Sequence, residues 1–199
     1  MGNDISVKFK NEIEDETKID LIEVHFSEIM KILGLDLKDD SLKNTPRRVA
    51  KMYVKEIFSG LNPDNKPSIS LFPNKYNYNN MLVEKDITLY STCEHHFVPI
   101  TGKVHIGYYP GEQVIGLSKL NRIVQYYARR PQQQENLTVQ IAEELKNILG
   151  TDDIAVLIEA DHLCVKARGV HDVNSRTVTS SYNGRFLDED NRKEFLNYL

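Results

Sequence analysis

Apolar residues change their spacing several times along this chain, and each change marks a predicted element. In "IDLIEVHFSEIMKILGL", Ile19 to Leu35, the residues Leu21, Ile22, Phe26, Ile29, Met30 and Leu33 recur at the spacing of one helical face. His25 falls inside that pattern and is read as a packed or surface histidine. "NTPRRVAKMYVKEIFSGL" predicts a second helix, with Thr45 as N-cap, Pro46 in the first turn and Gly60 as the stop. The Asn- and Pro-rich "NPDNKPSISLFPNKYNYNN" that follows predicts irregular structure. Residues 1–18 are polar and charged and read as a frayed start.

The period then shortens to two. "MLVEKDITLYST" and "VPITGKVHIGYYP" alternate apolar and polar residues as strands do, and "QVIGL" is a short third. Helical spacing returns in "SKLNRIVQYYARR", where Leu120, Ile123, Val124 and Tyr127 share a face. It continues in "QENLTVQIAEELKNILG", with Leu137, Ile141, Leu145 and Ile148 as the stripe and Gly150 as the stop. "IAVLIEA", "HLCVKARG" and "RTVTSSYNGRF" predict three more strands, and "DEDNRKEFLNYL" a last helix. This order predicts an α+β fold around a mainly antiparallel sheet.

Composition narrows the function classes. The 199 residues suffice for one domain of ordinary size, with 40% hydrophobic and 27% charged residues. A formal net charge of −4 excludes a global basic field of the kind that binds nucleic acid, so an anionic ligand needs a local cluster of cations. No run is long and apolar enough for a membrane span, and "MGNDISVKFKNEIEDE" lacks the apolar core of a signal peptide. Gly2 and Ser6 match the short myristoylation pattern, which arises easily by chance. The expectation is a cytoplasmic protein, in which Cys93 and Cys164 stay reduced and serve metal binding or catalysis.

Candidate chemistry concentrates in three places. In "STCEHHFVP", Cys93 and one of His95 or His96 offer soft and borderline metal ligands, because adjacent residues of an extended segment point opposite ways. Read as a strand, "HLCVKARG" places His162, Cys164, Lys166 and Arg168 on one face and Leu163, Val165 and Ala167 on the other. Cys164 then supplies a third ligand, and three ligands with an open position is the catalytic arrangement of zinc. The histidine off the metal, together with His162, is available for acid–base work. Ser118 is a candidate N-cap, with Lys119 and Arg122 beside the helix start as a candidate anion site. Gln134 and Glu135 pair an amide with a carboxylate that could read a purine edge. Glu94 and Lys166 receive no role.

These segments resemble GTP cyclohydrolase I. "STCEHHFVP", "GKVHIGYYP", "VIGLSKLNRIVQ", "RPQQQENLT", "DHLCVKARGV" and "NSRTVTSS" correspond in order to the signature segments of that family, from about residue 20 to the C-terminus. Two departures stand at Gln133 and Asn136, where the family often has Val and Arg. The resemblance implies a tunnelling fold with two helices packed on one face of the sheet. Residues 1–65 would be an N-terminal helical region and 66–199 the catalytic part. Subunit sheets would close into barrels in a homodecamer with active sites between subunits. It also implies Zn2+ on Cys93, His96 and Cys164, activating water for attack on C8 of GTP. The products would be 7,8-dihydroneopterin triphosphate and formate, the first step towards tetrahydrofolate and other pterins. By the same resemblance His162 protonates the guanine imidazole nitrogen and His95 assists ribose opening. Gln134 and Glu135 anchor guanine, Ser118 contacts ribose, and Lys119, Arg122, Arg168 and Arg48 hold the triphosphate. No nucleic acid or membrane partner is implied. A rival reading keeps the zinc structural and the basic cluster as a nucleotide or RNA-backbone site without catalysis.

Overall fold

The computed structural model describes residues 13–199. The frayed start expected for residues 1–18 and the Gly2/Ser6 pattern lie largely outside the described residues. The part that is described differs from expectation, since helix α1 already begins at Asp15 and runs to Ile32. Lys18 Nζ pairs with Asp15 at 3.1 Å across that first turn. The chain divides into two compact units, one ending at Asn65 and one spanning Lys66–Leu199.

In the first unit α1 packs on α2 (Thr45–Met52). Ile19, Met30 and Ala50 are buried, and Arg47 reaches across to Asp20 and Glu23. Much of the predicted stripe stays uncovered, with Leu21, Ile29 and Leu33 each about half exposed or more. The second helix also corrects the prediction at both ends. Asn44 rather than Thr45 is its N-cap, and after Met52 the chain widens into a π turn, Tyr53–Ile57, and then a 3-10 turn, Ser59–Leu61. Gly60 lies buried inside that last turn and does not act as the stop.

The second unit is built on a five-stranded sheet. Strands β2 (Leu82–Cys93), β3 (Pro99–Tyr108), β6 (Ile154–His162) and β7 (Thr177–Tyr182) run antiparallel in that order, and the two-residue β5 (Pro131–Gln132) lies parallel beside β2. A register shift between Glu84 and Ile87 leaves Asp86 at φ +60 in a bulge. Helices α3 (Leu117–Ala128) and α4 (Gln134–Leu149) cover the sheet. Their stripes, Leu120, Ile123 and Val124 with Leu137, Ile141 and Leu145, close over Leu89, Ile100, Val104 and Ile106. Beside Met81 and Ala155, a second cluster is sealed by Phe186 and by Phe195 of α6 (Glu189–Asn197). Strand β3 approaches β6 so closely at Gly102 that a Cβ there would sit 2.1 Å from the Glu159 carbonyl oxygen.

Two more elements differ from the sequence reading. Within the supposed irregular stretch, β1 (Leu71–Pro73) pairs with β4 (Gln113–Ile115). "HLCVKARG" is not a strand either: after His162 the chain turns into α5 (Leu163–Lys166), closed by Ala167 N–H donating to Leu163 O at 2.9 Å. The reason is a lack of ladder partners. The β3 register ends at Ile100 opposite His162, next to Pro99 with no N–H, and β7 first pairs at Ala160.

Candidate metal centre and active site

β2 ends at Cys93, and the loop after it folds back tightly. Cys93 N–H donates to Val98 O and Phe97 N–H to Cys93 O, each at 2.9 Å, with Phe97 at φ +55. Residues 94–96 therefore form a turn and not the extended segment assumed from sequence. The turn, and not alternation, selects His96 to face the cysteines. α5 brings Cys164 to the same place, so Cys93, His96 and Cys164 present ligand atoms all within 4.8 Å of one another. Two donors on one zinc ion cannot stand farther apart than roughly 4.6 Å, twice a zinc–sulfur bond, so the trio fits one ion with at most a small closure.

The electrostatics agree with a cation in that position. Burial pushes the Cys164 thiol up, the neighbouring Cys93 pushes it further, and Arg168 pulls the other way. Two thiols crowded out of water are a poor place for bare thiolates and a good one for a metal that neutralises them. Two thiols and an imidazole are also the donor types that zinc prefers.

Around the trio stand several expected residues. Arg168 Nη1 lies 3.1 Å from His96 Nε2 and 3.5 Å from Cys164 O. His95 Nδ1 is 3.9 Å from Cys93 Sγ, and its Nε2 is 3.5 Å from Gln133 Nε2. The same Gln133 amide donates to Glu94 Oε1 at 2.8 Å, giving Glu94 a partner that sequence did not supply. Lys166, also unassigned from sequence, lies 2.8 Å from Asp161 Oδ1 and ties α5 back to β6.

His162 closes β6 and is half-buried, with Nε2 2.7 Å from Gln134 Oε1. Burial lowers its pKa, while the carboxylates of Glu135 and Asp161 draw it up. Glu135 is exposed on the first turn of α4. Gln134, expected beside it as a second guanine anchor, instead turns inward and is 1% exposed.

The remaining expected residues sit on α2 and α3. Ser118 is not an N-cap: Gly116 holds that place and no side chain caps α3. Ser118 and Arg122 are exposed at the start of α3, and Lys119 Nζ lies 3.4 Å from Ser68 Oγ. Arg48 is exposed on α2. His105 and His171, read as structural or exposed, are respectively buried on β3, where Nδ1 accepts from Asp86 N–H at 3.3 Å, and exposed.

Comparison with known proteins adds an independent line. A family model described as GTP cyclohydrolase I matches residues 22–199. Curated proteins named GTP cyclohydrolase 1 are similar throughout. That of Flavobacterium johnsoniae is 56% identical over 94% of this chain and 84% of its own length. Those of an Enterobacter species and Yersinia enterocolitica are 56% and 54% identical over 94% of this chain and 84% and 86% of theirs.

Proposed function

From the premise that the chain belongs to the GTP cyclohydrolase I family, we propose that it converts GTP and one water to 7,8-dihydroneopterin triphosphate and formate. The convergence of Cys93, His96 and Cys164 from two distant segments carries this reading. These three residues would hold zinc, whose Lewis acidity would make water nucleophilic near neutral pH.

The protein's own groups do the rest. His162 passes a proton to the guanine imidazole nitrogen, which makes C8 electrophilic. Its lowered pKa suits a group that must release that proton again, and Glu135 and Asp161 keep the charged form accessible. His95 beside Cys93 serves proton transfer in ribose opening. Glu135 accepts from the donor edge of guanine. Ser118 contacts ribose, while Lys119, Arg122, Arg168 and Arg48 neutralise the triphosphate, in a chain whose overall charge is −4.

The working form is a homo-oligomer, in which sheets join into a barrel of the tunnelling fold, as a decamer with sites between subunits. Among the described residues two surfaces support this: the outer edge of β7, where Val178 is 59% exposed, and the apolar side of α1. The cytoplasm is the proposed compartment. No helix among the described residues is long and apolar enough to cross a membrane. The test is incubation with GTP: formate release and a fluorescent pterin after oxidation are expected, and intact GTP with a zinc-loaded enzyme would refute the proposal.

A further inference from the structure

Gln134 opens α4 with its side chain buried among α4, β6 and β7. A primary amide has two donors at one end and an acceptor at the other, so its neighbours decide which end faces where. Nε2 lies 3.1 Å from Ile158 O, 3.0 Å from Thr177 O and 3.1 Å from Thr179 Oγ1. Backbone carbonyls accept and never donate, so the end turned towards them must be the NH2. The amide oxygen is thereby committed to His162, whose Nε2 stands 2.7 Å from it. An oxygen that can only accept requires a hydrogen on that ring nitrogen.

A second string of bonds fixes the same polarity. The Thr138 hydroxyl donates to Gln134 O at 2.8 Å, so it accepts from the Thr179 hydroxyl at 2.7 Å. Thr179 oxygen is then left to accept from Gln134 Nε2. Reversing any member would set acceptor against acceptor inside the fold.

We propose that Gln134 is a positioning residue that fixes the His162 ring through an Nε2–H···Oε1 bond, which leaves Nδ1 as the nitrogen that faces the substrate. This deepens the proposed function and rests on its assignment of His162 as proton donor. In the imidazolium both ring nitrogens carry hydrogen. The Nδ1–H bond breaks as the proton passes to the substrate's imidazole nitrogen, its electron pair stays on Nδ1, and the Nε2–H···Oε1 bond persists. With its two N–H groups shared among Ile158 O, Thr177 O and Thr179 Oγ1, the Gln134 side chain has none left to offer a nucleobase.

The test is solid-state nitrogen NMR on zinc-loaded enzyme carrying labelled histidine, with a His162→Gln sample to identify the signal. With the ring neutral, a protonated Nε2 and a bare Nδ1 are expected. The opposite pattern, or an average of the two, would overturn the proposal. Kinetics give a second arm. Gln134→Met keeps the length but removes donors and acceptor, and should lower kcat about tenfold or more with KM for GTP within about threefold. A raised KM with unchanged kcat would instead give Gln134 to guanine binding and overturn it. If that variant does not fold, the spectrum of the unaltered enzyme decides alone. Absence of GTP turnover in the unaltered enzyme would count against the proposed reaction, while the spectrum would still judge the Gln134–His162 pairing.

Discussion

If zinc sits on the proposed trio, removing Cys164 leaves two protein ligands where a catalytic zinc site has three. Cys164→Ala is therefore expected to lose its bound zinc and its activity together while keeping the fold, read by metal analysis beside circular dichroism. Retention of stoichiometric zinc in that variant would remove Cys164 from the site. His105 gives a pH prediction independent of the metal. It is 6% exposed, and burial lowers its pKa, with Asp86 and Glu159 drawing it up and Lys103 and Lys85 drawing it down. As pH falls, the unfolded chain takes up this proton before the folded one does. The stability that neutral His105 contributes is thus present above the ordinary histidine value and lost as pH falls through the lower folded value. Melting temperatures of the parent and of His105→Asn, whose Oδ1 can replace Nδ1 as acceptor, should converge between about pH 7.5 and 5. Parallel curves would contradict the assignment. Cys93 and Cys164 were legible in the sequence because they are the only two cysteines and each sits near histidine. The orientation of Gln134 was not legible, because it is set by carbonyls and a hydroxyl on β6 and β7.

Among the elements, alternation and helical spacing located the long strands and α3 and α4 closely, since each has one buried face that the pattern records. Elements whose conformation depends on a neighbour were missed. The three-residue β1 exists because β4 pairs with it, and "LCVK" turns helical because neither β3 nor β7 extends beside it. The convergence of Cys164 with Cys93 and His96 was thus expected through a strand that does not exist. The α6 closure is testable: Phe195 is fully buried, with its ring centroid 5.8 Å from that of Phe186. Phe195→Ala should cost about 3–5 kcal/mol in urea unfolding. A loss under about 1 kcal/mol would mean that α6 is not part of the cooperative core.

For the whole molecule, the single chain brings Cys93, His96 and Cys164 together and leaves Ser118, Arg122 and Arg48 exposed. That distribution suits a site completed by assembly, which the proposed barrel supplies. Placing a charge on the β7 edge with Val178→Lys should yield smaller particles by sedimentation, with the chain still folded and GTP turnover reduced. Particles of unchanged size would argue against pairing through that edge. The central claim is that the protein is a zinc-dependent cyclohydrolase working through Cys93, His96 and Cys164. It is tested most directly by stripping the enzyme with a chelator and titrating Zn2+ back while following formate release from GTP. Activity should vanish, then return in proportion to zinc and level off at one ion per chain, with Cys164→Ala giving no return. Full turnover by the metal-free protein would contradict it.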